Sequence, residues 1–302
     1  MADITLSTAV RANLLSLSRT TDLIDRTQGR LSTGLKVASP IDNAVAFFQA
    51  KSLSDRAGDL ADRKDGIDQG VSSLETALTA TEAIEDLTKQ IKGIIDTARS
   101  ADATQRAELA DQVEELADQI QNLVNDASYQ GLNLLNSTAS TLSVRFSDKA
   151  DSKLDVSGVD FNLSTYFLAT AGTAAGATEA SLLLTALGFT TGGLSSFSLS
   201  LANELASFNS MADRALTSLD KTISNLRSKA SAIASNVAIL SVRLNFTSEY
   251  VDTLESGASK LTVADLNEEG ANLLALQTRQ QLGIQSLSFA GQSEQSILGL
   301  FR

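Results

Sequence analysis

Two clusters of carboxylates are the densest chemistry in the chain: Glu82, Glu85 and Asp86, and Glu114, Glu115 and Asp118. Three carboxylates at helical spacing are raw material for a cation site. Nothing completes one here, because the 302 residues contain no histidine and no cysteine, so no imidazole or thiolate ligand exists. The same two gaps remove the usual general base, any cysteine nucleophile, any disulfide and any serine–histidine triad. Both clusters lie opposite apolar seams and read as solvated helix faces. No glycine-rich phosphate loop follows a strand; Gly192-Gly193 sits in a Ser/Thr/Ala-rich stretch. Asn136, Asn162 and Asn245 open N-x-S/T triplets, which read as chance occurrences. The expectation is a protein that is not an enzyme and carries no cofactor or metal.

Charge points the same way. The net charge is −12, and residues 41–130 hold 18 acidic against 8 basic side chains. A nucleic-acid binder needs a basic track along phosphates. No run of 18 apolar residues is present, so no membrane span is expected. The start, Met-Ala-Asp-Ile-Thr-Leu, lacks the basic and apolar regions of a cleavable signal, which implies a cytosolic protein or a leaderless export route.

The apolar residues carry the signal. Val10, Leu14, Leu17, Thr21, Ile24, Gln28, Leu31 and Leu35 alternate four and three residues apart. That repeat puts one narrow seam on a helix and asks for another helix to cover it. The far end is equally apolar: Leu266, Leu273, Leu276, Leu282, Ile284, Leu287, Ile297, Leu298 and Phe301 lead to Arg302. Two such helices alone bury one stripe each, while ordering costs about 1–2 kcal/mol per residue of backbone. The expectation is packing between subunits at both ends, with order gained on assembly.

Between the ends, Ser32 to Pro40 reads as a break, after which Asp42 or Asn43 can cap a new helix. Its seam runs Leu53, Ala57, Leu60, Lys64, Ile67, Val71, Leu74 and Leu78, then shifts phase to Ile84, Leu87, Ile91, Ile94 and Ala98. A turn at 100–104 precedes a helix with Leu109, Val113, Leu116, Ile120 and Leu123 on one face. Leu142, Val144 and Phe146, then Leu154 and Val156, alternate as a β-hairpin. Residues 161–203 form a compositional break with Glu179 as its single charge. A long register from Leu216 to Leu254 follows, and Ser256-Gly257-Ala258-Ser259 is expected to end that helix. The fold class is mainly α: long antiparallel helices or coiled coils folding back on themselves, with a small β-hairpin and a short irregular insert. The helices at 41–130 and 205–255 are expected to pack within the chain.

Several motifs resemble those of bacterial flagellin, in order along nearly the whole chain. Gly29-Arg30-Leu31-Ser32-Thr33-Gly34-Leu35-Lys36-Val37 and Ser39-Pro40-Ile41-Asp42-Asn43-Ala44 are similar to the family's N-terminal signature. Tyr129-Gln130-Gly131 matches the turn before its hairpin, and Ile297-Leu298-Gly299-Leu300-Phe301-Arg302 its apolar ending. The resemblance implies an inner coiled-coil domain from 1–40 with 258–302, and an outer helical domain from 41–157 with 205–257. It also implies a short surface insert at 158–204. The Ser/Thr-rich, nearly uncharged residues 161–203 are open to O-linked glycans or unmodified. Function would be the structural subunit of the flagellar filament, a secreted helical polymer for swimming motility, exported unfolded through the flagellar type III apparatus. Partners would be other copies of the chain, an export chaperone, the filament cap and hook-junction proteins. The alternatives are a hook–filament junction protein and, further off, a secreted coiled-coil adhesin or effector.

Flagellins sensed by the innate Toll-like receptor resemble one another at an arginine, a glutamate and a leucine on the first long outer-domain helix. Lining up that helix puts Gln90, Gly93 and Ile94 at those positions, a departure at two of three. A slip of one residue would let Lys92 supply a positive charge.

Overall fold

The computed structural model describes residues 8–162 and 202–300. Its elements are helices α1 (Thr8–Thr33), α2 (Ala44–Ala98) and α3 (Ala103–Asp126), strands β1 (Ser128–Tyr129), β2 (Leu132–Asn133), β3 (Thr141–Arg145) and β4 (Lys153–Ser157), and helices α4 (Ala202–Thr262) and α5 (Leu266–Leu300). The chain divides into two compact units, residues 1–58 with 250–302 and residues 59–249.

Local chemistry sets the helix ends in the first unit. Gly34 ends α1 with φ +71, a left-handed conformation that favours glycine, and its N–H donates to the Arg30 carbonyl at 2.8 Å. Of the two candidate caps for α2, Asn43 does the work: its Oδ1 accepts from the Ala46 N–H. Asp42 instead closes the preceding turn, accepting from the Ala38 and Ser39 N–H groups and from Ser39 Oγ. Those Ser39 bonds hold the Asp42 carboxyl below its ordinary range.

The helix expected to stop at 256–259 does not. α4 runs through Gly257 to Thr262, and the break falls at 263–265. One glycine costs a helix only about 1 kcal/mol. Leu53 Cδ1 lies 3.4 Å from where a Gly257 Cβ would sit, so the position is one of close packing. Asp265, whose carboxylate accepts from the Asn267 and Glu268 N–H groups, caps α5 instead.

In the second unit α2, α3 and α4 share one core. The seam on α2 is unbroken through Ile67, Gly70, Leu74, Ala77, Thr81, Ile84, Thr88, Ile91, Ile95 and Ala98, all buried. The expected phase shift is therefore absent. Gly70 is a seam position because Val144 Cγ2 occupies the space beside it, 2.6 Å from where a Cβ would be. Thr81 and Thr88 belong because their hydroxyls donate to the Ala77 and Ile84 carbonyls of their own helix, leaving methyl groups to face the core. Three ion pairs fix the direction of α4 against α2: Glu85 with Arg227, Lys92 with Asp220, and Arg99 with Asp213. Each step of seven up α2 is a step of seven down α4, the register of an antiparallel coiled coil.

Asp102 caps α3, and with Gln105 forms a reciprocal capping box. The expected hairpin is β3–β4, with Leu142 opposite Val156 and Val144 opposite Leu154. A second, shorter hairpin, β1–β2, turns through Gln130 (φ 49) and Gly131 (φ 84). Positive φ at both central residues is the turn geometry that suits two-residue hairpin loops. Just beyond it the buried Asn133 amide makes four hydrogen bonds: Nδ2 donates to the Val124 and Asn125 carbonyls, while Oδ1 accepts from the Leu135 and Asn136 N–H groups. It satisfies carbonyls at the end of α3 that no further turn of helix could reach.

Candidate polymerisation surface

In the first unit α1 and α5 run antiparallel. Arg30 Nη1 donates to Glu269 Oε1 at 2.8 Å, Gln280 Nε2 to Thr21 Oγ1 at 3.4 Å, and Leu17 Cδ1 packs beside Gly283. The two links that follow α1 and precede α5 are bonded to each other: Lys36 N donates to the Thr262 carbonyl and Ala264 N to the Gly34 carbonyl, around a bridge of Leu35 with Val263.

The covered stripe on α1 is rotated from the expected one. Val10 and Ile24 are buried, and Leu17 and Leu35 half-buried, but Leu14 and Leu31 are exposed. Thr20 and Thr27 are buried where Thr21 and Gln28 were expected. Thr20 donates to the Ser16 carbonyl, so its polar atom is spent inside its own helix. On α5 the stripe toward α1 is Glu269, Leu273, Leu276, Gln280, Gly283 and Leu287. Leu266, Leu282 and Ile284 lie outside it and are exposed. The side chains of Ile297 and Leu298, and the whole of Phe301, fall outside the described residues.

Exposure separates the two units. Of the 16 exposed large hydrophobic residues among the described ones, 13 belong to the first unit, among them Leu14, Leu15, Leu274, Leu282 and Phe289. Among the described residues the nine largest fully buried side chains, including Phe161, Phe208, Ile67 and Ile120, all belong to the second. One unit closes its core; the other leaves apolar surface on both helices. Contiguous exposed apolar surface marks an interaction site.

The carboxylate clusters read differently from each other. Glu85 is not merely solvated: Arg227, then Lys89, hold its carboxyl below the ordinary value, and it braces α2 against α4. Glu114 is pushed up by partial burial and by Asp111 and Asp118 beside it. Among the described residues no group of three acidic side chains is placed to hold a metal ion. The Asn162 amide is engaged by Gln121, Asp160 and the Asn136 carbonyl. Gln90 and Gly93 are exposed on α2 and Ile94 is half-buried, while Lys92 is bonded to Asp220. Of residues 161–203, the stretch open to O-linked glycans, 163–201 lie outside the described residues. No described helix is long and apolar enough to cross a membrane.

The described residues thus give one unit with a closed core and another with much exposed apolar surface. Comparisons with known proteins give the family. The bacterial flagellin N-terminal helical region matches residues 5–140, and the flagellin C-terminal helical region matches 209–301. Flagellin FljM of Caulobacter vibrioides is 30% identical over 294 residues, covering 96% of this chain and 94% of the relative. Flagellin A of Rhizobium meliloti is 38% identical over 90 residues, which is 30% of this chain and only 23% of that relative's length. A putative flagellar hook-associated protein from Vibrio parahaemolyticus shares the fold over 74% of this chain and 100% of its own, with TM-score 0.57 at 16% identity. The chain belongs to the bacterial flagellin family. That is a family of structural proteins, the subunits of the extracellular flagellar filament.

Proposed function

We propose that the α1–α5 pair is the polymerisation core of this subunit, and that Val10, Leu14, Leu17, Ile24, Leu31, Leu35, Leu266, Leu273, Leu276, Leu287, Ile297, Leu298 and Phe301 are the residues whose burial drives assembly. On this reading residues 1–40 with 258–302 form the inner domain and 41–157 with 205–257 the surrounding one, with 158–204 toward the outside. The observation behind it is the contrast between units: large exposed apolar side chains in one, fully buried ones in the other. Of the ten assigned residues whose side chains are described, seven, such as Leu17 and Leu287, are buried or half-buried within the subunit; Leu14, Leu31 and Leu266 are exposed and on this reading meet a neighbouring copy. The filament so built serves swimming. An export chaperone, a cap and hook-junction proteins complete the set of partners. The hook–filament junction reading has less support, because the relatives that match end to end carry the name flagellin.

Electron microscopy of seeded protein tests this. The full chain should grow filaments, and the chain lacking residues 263–302 should remain a soluble helical monomer. Filaments of normal morphology from the truncated chain would sink the assignment.

A further inference from the structure

Two apolar stripes outside the α1–α5 faces remain unassigned. Ile41, Val45 and Phe48, spaced four and three apart where the chain enters α2, are 95%, 67% and 61% exposed. Ile239, Val242 and Phe246, spaced three and four apart on α4, are 45%, 68% and 56% exposed. They are the only exposed large hydrophobics in the second unit among the described residues. From this we infer that in the polymer the Ile41–Val45–Phe48 stripe of one copy seats on the Ile239–Val242–Phe246 stripe of a neighbouring copy. The inference rests on the reading that the chain polymerises, and adds which surfaces meet.

Three features of the stripes favour a second copy as the occupant. Val45 and Phe48 lie on α2 with Ile41 in the turn just before it, Ile239, Val242 and Phe246 form a ridge on α4, and the two stripes are of similar length, so one can lie against the other. Charge is sparse and of opposite sign: residues 41–50 carry Asp42 alone, and residues 230–248 carry Arg243 alone, in a chain that is 20% charged. Arg243 is held at this surface by stacking 5.0 Å from the Phe146 ring. The area is also right for one contact among several. Three such side chains offer on the order of a few hundred Å², well short of the roughly 800 Å² per partner of a stable complex. A stripe of this size leaves the subunit monomeric in solution and contributes only where other contacts already hold a neighbour. Because the two stripes differ, the contact is heterologous and propagates into an open helical array.

The absence of native cysteine makes the test direct. Val45→Cys and Val242→Cys replace exposed residues by a side chain of similar size. A disulfide needs the two Cα atoms about 5.5–6 Å apart. Filaments co-assembled from the two single variants are oxidised with copper phenanthroline and run on a non-reducing gel. The inference predicts a dimer band in mixed filaments and none in filaments of either variant alone. Normal mixed filaments without the dimer, or dimers in the unmixed ones, overturn it while the polymerisation reading stands. If either cysteine variant fails to assemble, Phe48→Cys paired with Ile239→Cys takes its place under the same criteria. Failure of the unaltered chain to polymerise after seeding removes both readings together.

Discussion

One substitution at two glycines of the same helix should give opposite signs. At Gly93 an added Cβ meets nothing within 4 Å, and the residue is exposed on α2. Alanine there gains the helix-propensity difference of about 1 kcal/mol. At Gly70 the same methyl would stand 2.6 Å from Val144 Cγ2 and 3.4 Å from Leu240 Cδ1. Val144 is 3% exposed in β3 and β-branched, so its methyl cannot turn aside without moving the strand. Overpacking costs about 1–3 kcal/mol. Set against the same propensity gain of about 1 kcal/mol, Gly70→Ala comes out destabilising by up to about 2 kcal/mol. The assay is thermal unfolding of depolymerised protein by circular dichroism, with urea titration as a check. A unit of this size shifts its midpoint by roughly 2–4 °C per kcal/mol. Gly93→Ala should therefore rise by that amount, while Gly70→Ala falls by up to about twice as much. Adding Val144→Ala to Gly70→Ala should cost less than Val144→Ala alone, since the new methyl fills the vacated space. If Gly70→Ala raises the midpoint as far as Gly93→Ala does, the hairpin does not lie on α2 at this point and the packing described here is wrong.

Three other outcomes are expected. Leu17→Asp or Leu287→Asp puts a carboxylate between α1 and α5 at a cost of several kcal/mol if it is desolvated and unpaired; swimming should be lost while the second unit keeps its helicity, and wild-type swimming in both variants would remove the seam. Glu85→Gln should lower stability at neutral pH by about 1 kcal/mol, the upper end for ion pairs whose basic partners are exposed to solvent. Because Arg227 and Lys89 depress the Glu85 carboxyl, that contribution is present above its unfolded value near 4.5 and vanishes as pH falls through the lower folded value; a difference that persisted in acid would show another cause. The resemblance to sensed flagellins puts Gln90 and Gly93 where those carry an arginine and a glutamate, and Lys92 is bonded to Asp220 rather than free to substitute. Monomer should activate the receptor weakly in a reporter-cell assay, with Gln90→Arg plus Gly93→Glu raising the signal; nanomolar potency from the unaltered chain would refute this.

Helix identity and order were legible because periodicity survives in long segments: the register from Leu219 through Leu240 to Leu254 is buried or half-buried throughout, as its spacing implied. The β3–β4 hairpin was legible for the same reason at period two. What failed was following large side chains alone. The seams of α1 and α2 pass through Thr20, Thr27, Gly70, Thr81 and Thr88, none of which a hydropathy scale marks as core. A cue did exist, since Thr81 and Thr88 fall in the heptad register of Leu74 and Ile91. The β1–β2 hairpin has two residues per strand, too few for a period. The bracing by Arg227, Asp220 and Asp213 depends on the relative register of two helices distant in sequence, which neither helix encodes alone.

The buried threonines also bear on the chain before it folds. In the helix each of Thr20, Thr81 and Thr88 turns its hydroxyl back onto a carbonyl four residues earlier and shows its neighbours a methyl group. Without the helix that carbonyl is no longer in reach, and the hydroxyl goes to water. At these threonine positions the seam is therefore apolar only when folded. As an extended chain it lacks the unbroken apolar runs that nucleate sticking between strands. A leucine seam of the same length would pack more tightly once formed but leave a far less soluble unfolded chain. This sequence trades some seam strength for an unfolded state that stays apart from its copies until the helices form.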